Sequence, residues 1–297
     1  MKITPIIFLL FCCFSYSVQA QSIKISGIIT DTKNNEPVPF ATLGIKGKSI
    51  GTVADENGTF SLLIENAEAA EDEKLIISSV GYESKAVSIR LFKQGKQTIG
   101  INPSSTSLQT VNIKPEKYKT KVFGRTGSNT MMTANMYTER NHIDDNLGKE
   151  QATIISVDQN CFVRDFNMFV TFNRFDLVKF RLNFYSVKDG APDELINDKD
   201  ILFDVTQKNG WLKVDLKNYN VYLTGHRKVA VAIQWVKSVK TDTTAKSFSV
   251  SVMPVPLHAM FARDKSQAGW KKTSPAYLAF NITADSFKTG KKEEAEK

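Results

Sequence analysis

From residue 21 onward, apolar side chains recur at every second position and almost nowhere at the 3.6-residue period of a helix. A period of two puts alternate side chains on opposite faces of an extended strand. A chain written this way has to bury one face of many strands, and that restricts it to sheets packed on sheets. In the first half, Ile23, Ile25 and Ile29 alternate with polar positions. Leu43 and Ile45 do the same, followed by Phe60, Leu62 and Ile64, then Leu75 and Ile77, then Val87, Ile89 and Leu91. Turn chemistry separates these runs. Asn57-Gly58 reads as a tight hairpin, because both residues tolerate positive φ.

The second half repeats the pattern with longer strands. Phe166, Met168, Val170 and Phe172 form one stripe. Val178, Phe180, Leu182 and Phe184 form another, opposite Lys179, Arg181 and Asn183. Leu212, Val214 and Leu216 oppose Lys213, Asp215 and Lys217. Further stripes run through Val229, Val231 and Ile233, through Phe248, Val250 and Val252, and through Leu278, Phe280 and Ile282. Seven or eight antiparallel strands of this kind predict a jelly-roll-like sandwich. Between the halves, residues 114–128 are basic, contain Pro115 and lack alternation, so they read as a linker. The expected organisation is a signal peptide over 1–20, a sandwich over 21–113, the linker, a second sandwich over 129–287 and a charged, disordered tail over 288–297.

The leader is predicted from its own chemistry. Lys2 precedes an apolar run from Ile6 to Phe14, and the segment closes on Val18-Gln19-Ala20, the small-x-small pattern of a secretory cleavage site before Gln21. The run is too short to cross about 30 Å of hydrocarbon, which takes roughly 20 residues. A lipid anchor would need a Cys at the cleavage point, and Cys12 and Cys13 lie inside the apolar run. No later segment approaches a transmembrane helix. The expected address is therefore outside the cytoplasm. With the leader removed, Cys161 stands alone, so stability has to come from core burial and not from a disulfide.

The residues Ile25-Ser26-Gly27-Ile28-Ile29-Thr30-Asp31, Glu36 to Leu43, Gly51 to Phe60 and Leu75 to Tyr82 carry a pattern of the form GxVxD, PxxxAxV, GTxTDxxGxF, LxxSxxGY. This resembles the carboxypeptidase regulatory-like domain (carboxypeptidase D regulatory-like, transthyretin-like β-sandwich) over residues 23 to about 101. The resemblance implies a seven-stranded sandwich without an active site, found as an accessory to zinc carboxypeptidases, at the N-terminus of TonB-dependent receptors and in exported proteins of Gram-negative envelopes, and with it an expected address in the periplasm, outer-membrane-associated or at the cell surface. It does not imply peptidase chemistry. A zinc carboxypeptidase places two His and a Glu on its metal, whereas His142, His226 and His258 are scattered and none begins a His-x-x-Glu. Phe180 to Tyr185, Lys188 to Pro192 and Gly210 to Leu216 resemble, more faintly, jelly-roll modules of exported adhesins and carbohydrate-binding proteins.

Other candidate sites dissolve on inspection. Gly44 to Ser49 is similar to a phosphate loop, but Thr42 stands where the first Gly belongs and no helix pattern follows. Asp55-x-Asn57-Gly58 is similar to the start of a calcium loop, but Phe60, Leu62 and Leu63 occupy the ligand stretch. Cys161 has no His beside it in sequence and reads as a structural thiol. The acidic pairs Asp144-Asp145 and Asp193-Glu194 sit next to loop signals, and adjacency in sequence does not make them face one cleft from separate elements. No catalytic residue, metal or cofactor is expected. The net charge of +8 resides almost wholly in residues 114–297, spread over alternate strand positions and not clustered, so nucleic acid is not an expected partner.

What remains is a surface. Trp211 falls in phase with Lys213 and Asp215, and Tyr185 with Arg181 and Asn183. An aromatic ring beside polar groups suits a sugar, whose C–H faces it can cover while its neighbours bond hydroxyls. These five residues form the candidate ligand-contact surface. The expected function is a non-enzymatic interaction module of the envelope, contacting a glycan or another envelope protein. An accessory or unrecognised hydrolase and a structural assembly component are the alternatives.

Overall fold

The structure is a computed structural model and describes residues 22–65, 72–104, 118–137, 146–242, 244 and 247–287. The expected signal peptide, residues 105–113 at the end of the first expected sandwich, residues 114–117 of the expected linker, His142, the Asp144-Asp145 pair and the tail lie outside these residues.

The first sandwich is built from seven strands: β1 (Ser22–Asp31), β2 (Thr42–Ile45), β3 (Gly51–Val53), β4 (Thr59–Glu65), β5 (Lys74–Ser78), β6 (Lys85–Ser88) and β7 (Gln97–Ile101). Three of them pair in the order β4-β1-β7, with β1 and β7 parallel, and four in the order β3-β2-β5-β6. Ile25, Ile29, Leu43, Phe60, Ile64, Leu75 and Ile77 meet between the two sheets and carry the core. Gly27 is required at its place on β1, since a Cβ there would lie 2.3 Å from the Gln97 carbonyl and 2.8 Å from the Phe60 ring.

Two local expectations change here. The Asn57-Gly58 turn exists, with Asp55 Oδ1 accepting from the amides of Asn57 and Thr59, but it is not a hairpin. It carries the chain from β3 in one sheet to β4 in the other, because the Gly58 carbonyl is held by the Ile29 amide at 2.8 Å. The Val87-Ile89-Leu91 stripe is also broken. Ile89–Gln94 is a 3-10 turn, in which residues three apart share a face, so Ile89 and Phe92 are buried and Leu91 is exposed.

The second sandwich has β8 (Tyr118–Gly124), β9 (Met132–Tyr137), β10 (Glu150–Ser156), β11 (Asn160–Asn173), β12 (Leu177–Lys188), β13 (Ala191–Leu195), β14 (Ile201–Val205) and β15 (Gly210–Asp215). It continues through β16 (Tyr222–Thr224), β17 (Lys228–Val239), β18 (Ser247–Met253), β19 (Met260–Arg263), β20 (Lys271–Thr273), β21 (Tyr277–Leu278) and β22 (Phe280–Phe287). A seven-stranded sheet runs β13-β12-β17-β10-β19-β20, with β14 also on β12. An eight-stranded sheet runs β21-β18-β11-β22-β8, with β15 and β16 on β11 and β9 on β18. The fold is all-β. Between the two sheets lie Phe166, Met168 and Val170 of β11, Phe180, Leu182 and Phe184 of β12, Ile233 and Trp235 of β17, and Phe248 and Phe280. Phe172 leaves the predicted stripe, because a bulge between Val170 and Phe172 shifts its phase.

Part of the predicted linker is structure. Tyr118–Gly124 pairs antiparallel with β22 along its whole length, from Phe287↔Tyr118 to Asn281↔Gly124. As an edge strand it leaves Tyr118 and Val122 exposed and packs only Phe123 on the core, which is why no apolar stripe announces it. Lys119 and Lys121 sit on this edge, where charge discourages pairing with a further strand. Among the described residues no helix is long and apolar enough to cross a membrane.

Candidate binding cleft between the sandwiches

Seen across the seven-stranded sheet, the outward face is laid out in rows by strand register. Arg181 of β12 lies opposite Gln234 of β17, Gln234 opposite Glu150 of β10, and Glu150 opposite Arg263 of β19. The next row is Asn183, Ala232, Ala152 and Phe261. The small alanines matter: they leave room for Asn183 and the neighbouring Tyr185 to reach across to Glu150.

Glu150 is 1% exposed, and both of its oxygens are engaged. Oε1 accepts from the Tyr185 hydroxyl at 2.8 Å and from Asn183 Nδ2 at 2.9 Å. Oε2 accepts from Arg263 Nε at 2.7 Å and Nη2 at 2.5 Å. A buried carboxylate is tolerable only with such saturation. Arg263 lies over the Trp270 ring, 4.4 Å from its centroid. Burial alone would lower the Arg263 pKa, but Glu150 and Tyr185 outweigh it and raise it. Burial first, and Glu150 second, push the Tyr185 hydroxyl well above its ordinary range. Both shifts carry Tyr185 and Arg263 away from neutral pH.

Arg181 is the second anchor and also the bolt between the sandwiches. Its guanidinium grips Asp200 through Nε at 2.5 Å and Nη2 at 2.8 Å, donates through Nη1 to Gln234 Oε1 at 3.0 Å, and donates through Nη2 to the Phe40 carbonyl of the first sandwich at 3.0 Å. Phe40 has φ of +53°, an uncommon backbone state for a bulky residue. Its ring is buried against Val53 and against Val236. Val236 is the extra residue of a bulge in β17, where Phe180 pairs with Trp235 and Lys179 with Lys237. Further fasteners are Gly47 N to the Gln267 carbonyl at 2.9 Å, Ser49 Oγ to Asp264 at 3.1 Å and Lys237 to Glu56 at 2.5 Å.

Beside this seam a cleft of about 790 Å³ opens, with walls from both sandwiches. Ser78, Ser79 and Tyr82 contribute from the first, and Asn183, Gln234 and Arg263 from the second. Asn183 Oδ1 and Ser266 Oγ, both from cleft-lining residues, are buried without a hydrogen-bond partner. The Asn183 orientation is fixed chemically, since its NH₂ has to face the Glu150 carboxylate. Each unsatisfied group of this kind costs about 1–3 kcal/mol.

The five predicted contact residues do not share a surface. Arg181, Asn183 and Tyr185 are in this buried row, on the outer face of the seven-stranded sheet. Trp211 and Asp215 are on β15, on the outer face of the eight-stranded sheet, at the opposite side of the sandwich. Trp211 is 38% exposed and meets Phe169 edge-on at 5.5 Å. Asp215 is exposed and accepts from the Lys217 amide at 3.0 Å, a bond that lowers its pKa.

Sequence reasoning missed Glu150, Gln234 and Arg263. A signal was present: Val229–Val236 is apolar or uncharged on both faces, as a strand buried on both sides must be. The set-aside motifs have structural work. Asp55 braces its own turn, and Gly47 docks onto Gln267. Cys161 is fully buried, and burial together with Asp158 pushes its thiol up to about 12. Among the described residues no group of three His, Cys, Asp or Glu comes together as metal ligands.

Comparison with known proteins fits this architecture. Residues 25–113 match the family model described as CarboxypepD_reg-like domain, so the first sandwich carries the domain its motifs resemble. No curated protein matches the sequence. Among solved structures, the cysteine protease and lectin-like domains of Cwp84, a surface layer associated protein of Clostridium difficile, align over 82% of this chain and 50% of that one, at 8% identity and a TM-score of 0.36. Infectious bursal disease virus Gt strain aligns over 89% and 62%, at 7% identity and a TM-score of 0.24. BcpA*(D312A), the major pilin subunit of Bacillus cereus, aligns over 87% and 69%, at 9% identity and a TM-score of 0.18. The chain thus spans half the length of the first of these. Likeness this loose carries no functional argument.

Proposed function

We propose that this chain is an exported, non-enzymatic protein of a Gram-negative envelope, in the periplasm, outer-membrane-associated or at the cell surface. In this reading it is an interaction module that holds a glycan or another envelope protein in the cleft between its sandwiches. The observation that carries the reading is the cleft itself. Its volume lies within the usual range for ligand pockets of roughly 300–1,000 Å³, and its walls come from two units bolted together by Arg181 and Phe40. Preformed walls reduce the ordering cost of binding. The ionisable groups at its floor are spent on one another, Arg181 with Asp200 and Arg263 with Glu150, which supports binding over catalysis. The leader chemistry from Lys2 to Ala20 supports export.

The test is a glycan array and an envelope-extract pull-down with the mature chain, with bound glycans analysed by mass spectrometry. Retention of an uncleaved glycan or of a defined envelope protein is expected. Turnover of the ligand, lost in Glu150→Gln, would instead assign an enzyme.

A further inference from the structure

Building on that reading of the cleft, we infer that its ligand is an uncharged, hydroxyl-rich chain, a neutral oligosaccharide, and not an anionic glycan or a peptide. The argument begins with charge. Three lining residues are charged: Arg181, Arg263 and Asp198. Both guanidiniums are already neutralised, by Asp200 at 2.5 Å and by Glu150 at 2.5 Å. Asp198 is exposed and adds a negative charge to the cleft wall. An acidic ligand would meet cations already paired, next to a carboxylate that repels it. Drawing Arg263 away from Glu150 would strand a carboxylate that is 1% exposed.

The rest of the lining is suited to hydroxyls. Ser78, Ser79, Ser84 and Ser104 face the cleft from the first sandwich. From the second, the Gln234 amide accepts from Arg181 through Oε1, and its Nε2 has no partner among the described residues. Beside it are the unpartnered Asn183 Oδ1 and Ser266 Oγ. Hydroxyl groups both donate and accept, so one ligand chemistry serves a free amide donor, a free amide acceptor and a row of serines. A peptide backbone would ask for an exposed sheet edge to extend, and the second-sandwich wall is instead laid out across the face of a paired sheet.

The apolar part of the lining is the rings of Tyr82 and Tyr185 with the aliphatic side chains of Val80 and Leu195. Tyr82 is half-buried, and its hydroxyl is pinned to Asp31 Oδ2 at 3.1 Å, which fixes the ring. Gly81 beside it has open space where a Cβ would stand, so the approach to the ring is clear. Leu195, 41% exposed, stands on the wall from the other sandwich. A fixed aromatic face bordered by amides and hydroxyls is how a protein holds the C–H side of a sugar ring.

The experiment compares neutral, uronic-acid, sulfated and phosphorylated glycans and a peptide library against the mature chain. It is repeated with Ser84→Trp, an exposed lining position where an indole fills the cleft, and with Tyr82→Ala. Thermal unfolding of each variant checks the fold. Binding of neutral glycans, weakened roughly tenfold or more by both substitutions without loss of the folded state, is the expected result. Binding only of charged glycans or only of peptides, blocked by Ser84→Trp, keeps the cleft and overturns the ligand class. Binding of neutral glycans indifferent to both substitutions puts the site elsewhere, and absence of binding to any probe rejects cleft and ligand together. If Tyr82→Ala unfolds, Tyr82→Phe, which frees the ring from Asp31 but keeps its face, takes its place and should bind nearly as well as the unmodified chain.

Discussion

The two outer faces of the second sandwich start from the same sequence grammar and end in opposite circumstances. On β12, Arg181, Asn183 and Tyr185 alternate with a buried stripe. On β15, Trp211, Lys213 and Asp215 do the same. The first set is no more than 7% exposed and lies under the first sandwich, while Trp211, Lys213 and Asp215 meet solvent. Period two therefore separates core from non-core, but it does not say whether a non-core face is wet. What distinguishes the covered face is its neighbours in register: Ala152, Ala230 and Ala232 where a solvated face would carry Lys or Asp.

The largest test of this contrast is Glu150→Ala. It leaves Arg263 and Tyr185 buried without their acceptor, and breaking a buried pair from one side costs about 3–5 kcal/mol. Chemical denaturation should show that loss. Lys213→Ala on the wet face, whose pair with Asp165 is solvent-exposed on the lysine side, should stay within about 0.5 kcal/mol. Equal effects would mean that the two faces are not different environments.

Phe40→Ala comes next. It removes the ring that Val53 and Val236 enclose, and truncating a buried Phe costs about 3–5 kcal/mol. Some of this is offset, since a smaller residue is less crowded at φ of +53°. A net loss of about 2–3 kcal/mol is expected. It should come with faster proteolysis at the seam and a larger radius in small-angle scattering. If stability falls while the radius stays the same, other fasteners hold the sandwiches together.

How much of this was legible follows from the range over which each signal acts. The stripes Phe180-Leu182-Phe184 and Val229-Val231-Ile233 are local statements about one strand, and they land in the core as written. The fastening of Glu150 to Arg263 joins positions 113 apart, so no window of sequence contains it. The Asn57-Gly58 turn was legible as a turn. Which sheet receives its second strand was decided by Ile29, far upstream. Tyr118–Gly124 was hidden because an edge strand with one shallow contact, Phe123, has little apolar pattern to show. The five proposed contacts alternate with the inward stripes, yet Arg181, Asn183 and Tyr185 are buried, and Tyr185 packs in an apolar cluster with Ala152, Ala230, Ala232 and Phe261. Their division between two opposite faces depends on how β12 and β15 are distributed between sheets, which composition does not record.

Acid should loosen the seam on the covered side. Burial works against the Asp264 carboxylate, but hydrogen bonds from Lys271 and Ser49 prevail and hold it below its ordinary range. A depressed carboxyl stabilises the fold at pH above its unfolded value and loses that contribution as pH falls through the folded one. Because Ser49 belongs to the first sandwich, the loss is felt at the seam. The difference in unfolding midpoint between the unmodified chain and Asp264→Asn should be present near neutrality and shrink as pH falls below about 4. A difference independent of pH would mean that the carboxylate charge contributes nothing there.

Among the aromatic positions the smaller effect belongs to Trp211, and it makes the most direct comparison with Tyr185. Trp211→Ala removes a ring that is 38% exposed and touches Phe169 at its edge, so the loss is about 1 kcal/mol. Tyr185→Ala removes a ring that is 7% exposed, together with a hydroxyl bonded to Glu150, Arg263 and Asn183. It should cost about three times as much by the same denaturation measurement. A sugar bound on the β15 face would reverse the ranking in a binding assay while leaving it intact in denaturation. Stability and affinity measured on these two variants therefore tell the solvated aromatic from the buried one, and show which of the two faces meets the ligand.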